Sequence, residues 1–434
     1  MRNVVTITIE GLGAGLVGAY GSNTAITPTI DALASRGILL DQCFLDSQDL
    51  EAQLTSLATG QHALHTEIGD QPASIDSRHY DRLEGSYIWQ RLRACGRSGR
   101  FITDSPVAAA WAERTGCSQV LLIPTPDQRE PEEDPAECAV VAAFIATAEE
   151  LTSAECEFTW LHSAGLRLPW DAPLALRHQF IDPDDPDPPS DVRPPSFEIT
   201  ESTDPDLVVG WGQVAAAQVA LIDDAIGTLH DALSTRNDQL KFCVVGLGGV
   251  PLGEHGRVGW GHVQLYGEEL QCVAVFYPTP ESEIGWRRGE ICQLPDIGAT
   301  ILDWCGLEFS PEETSEYWGR SLQTWGFTDT PPRWSPAHQL AVVQTQGQIW
   351  VRSPAWSAVL PRDEFGSASN VENEPRCKLF VKPDDRWETS EIADRRPAIV
   401  ELLTASAETF ISAAKAGNRD ALPRLDPTLC DVMR

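Results

Sequence analysis

The apolar positions of this chain fall into two rhythms. Val4-Val5 with Ile7 and Ile9, Ile38-Leu39-Leu40, Phe101-Ile102, Val120-Leu121-Leu122-Ile123, Phe242-Cys243-Val244-Val245 and Val273-Ala274-Val275-Phe276-Tyr277 are short apolar runs. Runs of that kind, bounded by turn residues, read as strands buried on both faces. Between them lie stretches at helical spacing. Thr27-Pro28-Thr29 opens a short helix through Ile30, Leu33 and Ala34 that stops at Gly37, and Ser86 to Cys95 predicts a second. The polar segment Asp46 to Gln53 runs into Leu54-Thr55-Ser56-Leu57-Ala58-Thr59-Gly60. Gln213 to Leu233 predicts the best helix, with Val214, Ala217, Leu221, Ala225, Leu229 and Leu233 near one face. Strands alternating with helices predict an α/β fold, a mostly parallel sheet flanked by helices.

From about Thr330 the pattern changes. Leu340 to Val343 and Ile349 to Val351 flank Gln346-Gly347 as a hairpin would, Leu379-Phe380-Val381 is a further strand, and Pro397 opens a helix through Ile399, Leu402, Leu403 and Phe410. The expected organisation is a core domain over 1–329 and a smaller α+β subdomain over 330–434. Two acidic, proline-punctuated loops, Pro126 to Glu137 and Ile181 to Asp206, read as solvated insertions. Their prolines, and the lack of a glycine-centred loop closed by glutamate, do not fit an EF-hand.

Composition narrows the partners. A net charge of −32 over 434 residues argues against nucleic acid, which needs a basic surface to displace counterions, and equally against an anionic membrane. The expected partner is a small molecule or another protein. Eleven cysteines with no C-x-x-C pair suggest neither a zinc knuckle nor a disulfide framework. No secretory signal pattern precedes the first strand and no apolar run looks long enough for a membrane span, so a cytoplasmic location is expected.

The first strand ends at Glu10 and opens into Gly11-Leu12-Gly13-Ala14-Gly15, where two readings compete. Gly13, Gly15 and Gly18 match the G-x-G-x-x-G dinucleotide cradle, with Asp41 where a ribose-binding acid would stand. Against it, Gly21-Ser22-Asn23-Thr24 and Pro28 would break the crossover helix that such a cradle must open. In the other reading, Glu10-Gly11 is the altered remnant of a paired-aspartate metal site.

The order of segments along the chain favours the second reading. Ile7-Thr8-Ile9-Glu10-Gly11-Leu12, Gly18-Ala19-Tyr20-Gly21, Thr27 to Ala34, Ser56 to Gly60 with His65, Leu168 to Pro173, Ile222 to Gly227, Leu252 to Gly256 and Gly319 to Leu322 follow one another as they do in a known family. The chain resembles the sulfatases of the alkaline phosphatase superfamily. That resemblance implies an alkaline-phosphatase-like core and ester hydrolysis with a divalent metal such as Ca²⁺, held by acids after the first strand and after a late one.

Aligned on those segments, the first ligand pair reads Glu10-Gly11 and the late pair Leu247-Gly248. Leu50 stands at the nucleophile and Leu54 at the arginine that accompanies it. Leucine can neither attack a sulfur centre nor stabilise developing charge. Arg167 replaces the family's histidine, and Trp260, or its neighbour Gly261 or His262, replaces a lysine. The expectation is a catalytically inactive sulfatase-like protein without metal or other cofactor, serving a binding or regulatory role. The alternative is an active sulfuric or phosphoric ester hydrolase using replacement residues such as Glu10, Asp104 and His262; a dinucleotide-binding protein is the minor alternative. Candidate cleft residues are Glu10, Asp49, Glu51, Gln53, Asp104, Arg167, His255 and His262. For Asp49, Glu51 and Gln53 the plain alternative is helix capping. Acids without a metal would repel an anionic ester, so weak binding of sulfate esters is expected.

Overall fold

The computed structural model describes residues 4–66, 83–125, 130–153, 156–235, 239–261, 264–278, 285–307, 318–322, 339–362 and 377–431. The chain forms two compact units. The first comprises Met1–Asp41, Leu92–Val263 and Glu268–Arg288, and the second Gln42–Arg91, Gln264–Gly267 and Gly289–Arg434.

Strand β1 (Val4–Glu10) is buried at every position and central, its edges paired in parallel with β5 (Phe158–Ser163) and β7 (Lys241–Leu247). Outward from β5 follow β3 (Gly99–Thr103) and β4 (Val120–Leu122), both parallel to it. On the other side come β9 (Ala274–Tyr277), β2 (Ile38–Phe44) and β10 (Trp286–Gln293), which complete an eight-stranded sheet of order β10-β2-β9-β7-β1-β5-β3-β4. β9 runs antiparallel to β7 and β2, so the sheet is mixed but mostly parallel.

The strand pleat divides β1 between two cores. Val5, Ile7 and Ile9 join a large apolar cluster with Leu161, Val244 and the buried side of α6 (Pro205–Ser234). Thr6 and Thr8 alternate with them, as a period of two requires. α1 (Pro28–Arg36) and α5 (Ala139–Ser153) also pack on α6. Carboxylates tie these helices together. Asp223 on α6 accepts the N–H groups of Thr29 and Ile30, and Asp171 accepts that of Ala139 at the start of α5. The segments around these aspartates, which carry part of the family resemblance, therefore serve the packing of the helices. The helix expected over Ser86 to Cys95 forms at Ile88–Ala94 (α3), and beside β3, α4 (Pro106–Arg114) brings Trp111 against Phe101 and Trp160.

α6 begins at Pro205 rather than at Gln213, because Asp204 caps it through the N–H of Asp206. Its exposed Leu207 and Val209 beside Gly210 hide the helical period from the sequence. The end of the long acidic loop is thereby helical, and Ser196–Glu198 (β6) pairs with Arg257–Gly259 (β8). At 30 residues α6 meets the length and hydropathy of a membrane span, contrary to the sequence expectation, yet much of its surface is core within the first unit.

In the second unit, α2 (Leu50–Thr59) packs on α7 (Leu294–Trp304). The contact is close: a Cβ at Gly298 would lie 2.5 Å from the carbonyl oxygen of Ser56. Four antiparallel strands follow, β11 (Ala341–Gln344), β12 (Gln348–Arg352), β13 (Trp356–Pro361) and β14 (Lys378–Val381), covered by α8 (Pro397–Lys415). The hairpin at Gln346-Gly347 is the β11–β12 turn, with Val343 opposite Trp350.

Candidate functional site

The C-terminal ends of β1, β7, β5 and β3 bring several of the sequence-predicted positions of the first unit together. Glu10 ends β1 opposite Leu247 on β7, and the N–H of Gly11 donates to the Leu247 carbonyl at 3.3 Å. Gly11 and Gly248 both take left-handed backbone conformations, φ 78° and 69°. After β5, Gly165–Arg167 forms one helical turn that delivers Arg167 to Glu10, and the Arg167 Nε donates to Glu10 Oε2 at 2.7 Å. The guanidinium lies over the Trp260 ring, 3.8 Å from its centroid. The indole is itself anchored, Nε1 donating to the Leu166 carbonyl at 2.8 Å.

These residues fit as a set. A Cβ on Gly11 would sit 2.9 Å from Trp260 Cζ2 and 3.0 Å from Leu166 Cβ, so the indole occupies space that only a glycine leaves. On the other side of the turn, a Cβ on Gly165 would meet the Glu10 carbonyl oxygen at 2.5 Å. Backbone and ring thus press together around one carboxylate.

Beneath Glu10 lies a residue that the sequence reading missed. His162, fully buried on β5, places Nε2 3.5 Å from Glu10 Oε1, beyond hydrogen-bond range, and that nitrogen has no hydrogen-bond partner. Its Nδ1 is 2.9 Å from Thr8 Oγ1, which in turn accepts from Trp160 Nε1 at 2.9 Å. The simplest proton arrangement has the Thr8 hydroxyl donating to Nδ1 and the ring proton on Nε2, directed toward Glu10. The signal was the run Phe158 to Leu161 ending in His162-Ser163, a strand that brings His162 opposite Thr8.

Asp104, one residue past β3, adjoins this group. It accepts from the Ser163 hydroxyl and from the Ala164 N–H, each at 2.6 Å, and so ties the end of β3 to the turn that carries Arg167. Burial raises its pKa and nearby Glu10 adds to that, while the two donated hydrogen bonds and His162 oppose it. His255 stands in a separate contact, with a left-handed backbone (φ 50°) and its Nδ1 2.6 Å from Glu268 Oε1. His262 lies outside the described residues.

The remaining candidates belong to the second unit. Leu50 opens α2 half-buried, and Leu54 is fully buried. Asp49 is the N-cap of α2 and accepts the N–H of Ala52 at 2.9 Å; burial raises its pKa. The Gln53 amide donates to the Ser47 carbonyl at 2.9 Å, and Glu51 is half-buried in the first turn. These contacts organise the start of α2. Nearby, a buried carboxyl went unpredicted: Asp46 accepts from the Ser56 hydroxyl at 2.6 Å and the Ala63 N–H at 2.8 Å, and burial pushes it up to about 7.

Two of the three glycines of the dinucleotide motif, Gly13 and Gly18, are already packed against the chain, while Gly15 has open space beside it. A Cβ on Gly18 would meet the Asp31 carboxylate at 2.4 Å, and Asp31 accepts the Ala19 N–H at 2.6 Å. Gly13 packs on Gly249, and short turns at Ala14–Leu16 and Gly18–Tyr20 stand where a crossover helix would begin. Elsewhere in the first unit the two acidic loops meet in a groove of about 1130 Å³ lined by Glu130, Glu132, Glu133, Leu174 and Asp191. None of the predicted site residues lines it.

A phosphonate monoester hydrolase of Agrobacterium radiobacter superposes with a TM-score of 0.71 at 14% identity, over 96% of each chain. A 2-O GAG sulfatase gives 0.65 at 15% identity, over 99% of this chain and 96% of the other. This is the sulfatase fold. A protein in the alkaline phosphatase superfamily from Vibrio parahaemolyticus matches at 0.58 and 15% identity, over 96% of this chain and 88% of that one. No protein-family model matches the sequence, and no curated protein matches it.

The sulfatase fold implies a divalent metal, and the residues at this corner do not fit one. A hard cation takes six or more oxygen ligands, several of them carboxylate. Gly11 and Gly248 have no side chain and that of Leu247 is aliphatic, so none of the three offers a ligand atom, while Glu10 is paired with Arg167. Among the described residues, no group of three or more His, Cys, Asp or Glu side chains is arranged to hold a metal ion.

Proposed function

We propose that this sulfatase-fold chain hydrolyses neither sulfate nor phosphate esters and works by binding a ligand without metal. The carrying observation is the Glu10–Arg167 ion pair at 2.7 Å. It supports the reading because the carboxylate at the metal corner already has a cationic partner belonging to the chain. Hydrolysis by this fold needs a nucleophile and a positive charge on the ester oxygens. Leu50 and Leu54 supply neither. The ligand is a small molecule or a protein rather than nucleic acid or an anionic membrane, on the strength of the −32 charge.

A second reading, an ester hydrolase with replacement residues, draws on the 3.5 Å approach of His162 to Glu10 beside Asp104. It is the weaker one, since all three side chains are buried and Glu10 is engaged.

Both readings meet in one assay. The purified chain is incubated with the p-nitrophenyl esters of sulfate, phosphate and phenylphosphonate, with EDTA and with Ca²⁺, Mg²⁺ or Mn²⁺, and its melting temperature is followed in parallel. The expected result is no nitrophenol above the buffer rate and no metal-dependent rise in melting temperature. A ligand at a hundred times its dissociation constant would add about 2.7 kcal/mol, which such a scan resolves. Release of nitrophenol above the buffer rate, with or without metal, and lost in Glu10→Gln, would overturn the proposal.

A further inference from the structure

We infer that Arg167 presents a preformed docking edge for a carboxylate, which names the ligand chemistry of the site and rests on the reading of the chain as a binding protein. The guanidinium is fixed in two ways. Its Nε is committed to Glu10 Oε2, and its plane is held over Trp260 at 3.8 Å. Among the described residues, Nη1 and Nη2 make no hydrogen bond, and the side chain is 52% exposed. A half-exposed arginine normally loses rotamer freedom when it binds; here the chain has already restricted it.

The chemistry of the free edge selects the ligand. Nη1 and Nη2 offer paired N–H donors in one plane, the geometry that a carboxylate accepts with both oxygens. Glu10 next to Nε offsets the arginine charge, so the site has no net positive charge to hold a dianion. A monoanion is therefore preferred. Between monoanions, a carboxylate concentrates its charge on two oxygens, whereas a sulfate monoester spreads it over three and accepts more weakly. His162 lies below, its Nε2 3.5 Å from Glu10 Oε1, while the only hydrogen bond that holds the Glu10 carboxylate among the described residues is the one from Arg167 Nε.

The test is isothermal titration of the full chain with benzoate, acetate and methyl sulfate at constant ionic strength. Saturable binding of both carboxylates is expected, with methyl sulfate at least tenfold weaker. Arg167→Lys, which keeps the charge but loses the planar fork, should weaken carboxylate binding at least tenfold. Arg167→Met alone strands Glu10, so the double variant Glu10→Gln/Arg167→Met keeps the corner neutral and folded while removing the edge; it should not bind. The inference is overturned if neither carboxylate binds saturably to the unaltered chain, if methyl sulfate binds as tightly, or if the double variant binds like the parent. Hydrolysis of methyl sulfate would instead strike the non-hydrolytic reading and leave carboxylate docking to stand on its own titration.

Discussion

Gly11 is the residue on which the candidate corner turns. Its φ of 78° is one that side-chain-bearing residues rarely adopt, and its missing Cβ is the room in which Trp260 lies. Gly11→Ala should therefore destabilise the chain by about 1–3 kcal/mol, combining backbone strain with overpacking. Denaturant titration would show it as a lower midpoint at unchanged slope, and an unchanged midpoint would mean that the indole moves aside freely. The sequence pointed to this position and to Glu10, Asp104 and Arg167, because each departs from or follows a pattern of known order. It did not point to His162. A histidine at the end of a strand carries no local signal of its partner, and Thr8 and Glu10 lie some 150 positions earlier in the chain; the parallel register of β1 and β5 brings them together.

At the scale of elements, the segments on either side of α2 hold two buried groups of opposite pH response, Asp46 before it and His62 after it. Asp46, pushed up to about 7 by burial, holds its proton more tightly in the folded chain. Its contribution to stability is full below about pH 4 and is lost as the pH rises through about 7. His62, pushed down to about 3 by burial, does the reverse: its contribution is present above about pH 6.5 and is lost as the pH falls toward 3. Between pH 4 and 6.5 the two slopes oppose each other. Asp46→Asn should remove one of them, so that the stability difference between variant and parent shifts in the variant's favour with rising pH, by up to about 1.4 kcal/mol per unit. Chemical denaturation at several pH values checks this, and a difference constant with pH would refute it. The polar run before α2 was visible in the sequence, and capping was a stated role for Asp49. The depth of Asp46 was not visible, because burial depends on what α7 and the Ala63 turn bring over it.

The whole molecule carries 64 acidic side chains against 32 basic ones. Like charges spread over one surface repel, and salt screens them over about 8–10 Å at ordinary ionic strength. Melting temperature should thus rise by several degrees when NaCl is raised from about 20 to about 500 mM, with KCl acting equally and without a special effect of Ca²⁺. A fall with salt would mean that the ion pairs, Glu10–Arg167 among them, outweigh the repulsion.

Strand runs and the order of short segments were enough to determine an α/β chain with the sulfatase fold. Those features are local: a buried strand, a capped helix or a glycine turn is written in consecutive residues. Other facts were decided only by the tertiary structure. Arg167 closes on Glu10, Trp260 fills the space at Gly11, His162 lies underneath, and Gly18 and Gly13 are packed by Asp31 and Gly249. Each joins residues far apart in the chain, and the partner of a charge or the filler of a gap is settled by which strands lie side by side.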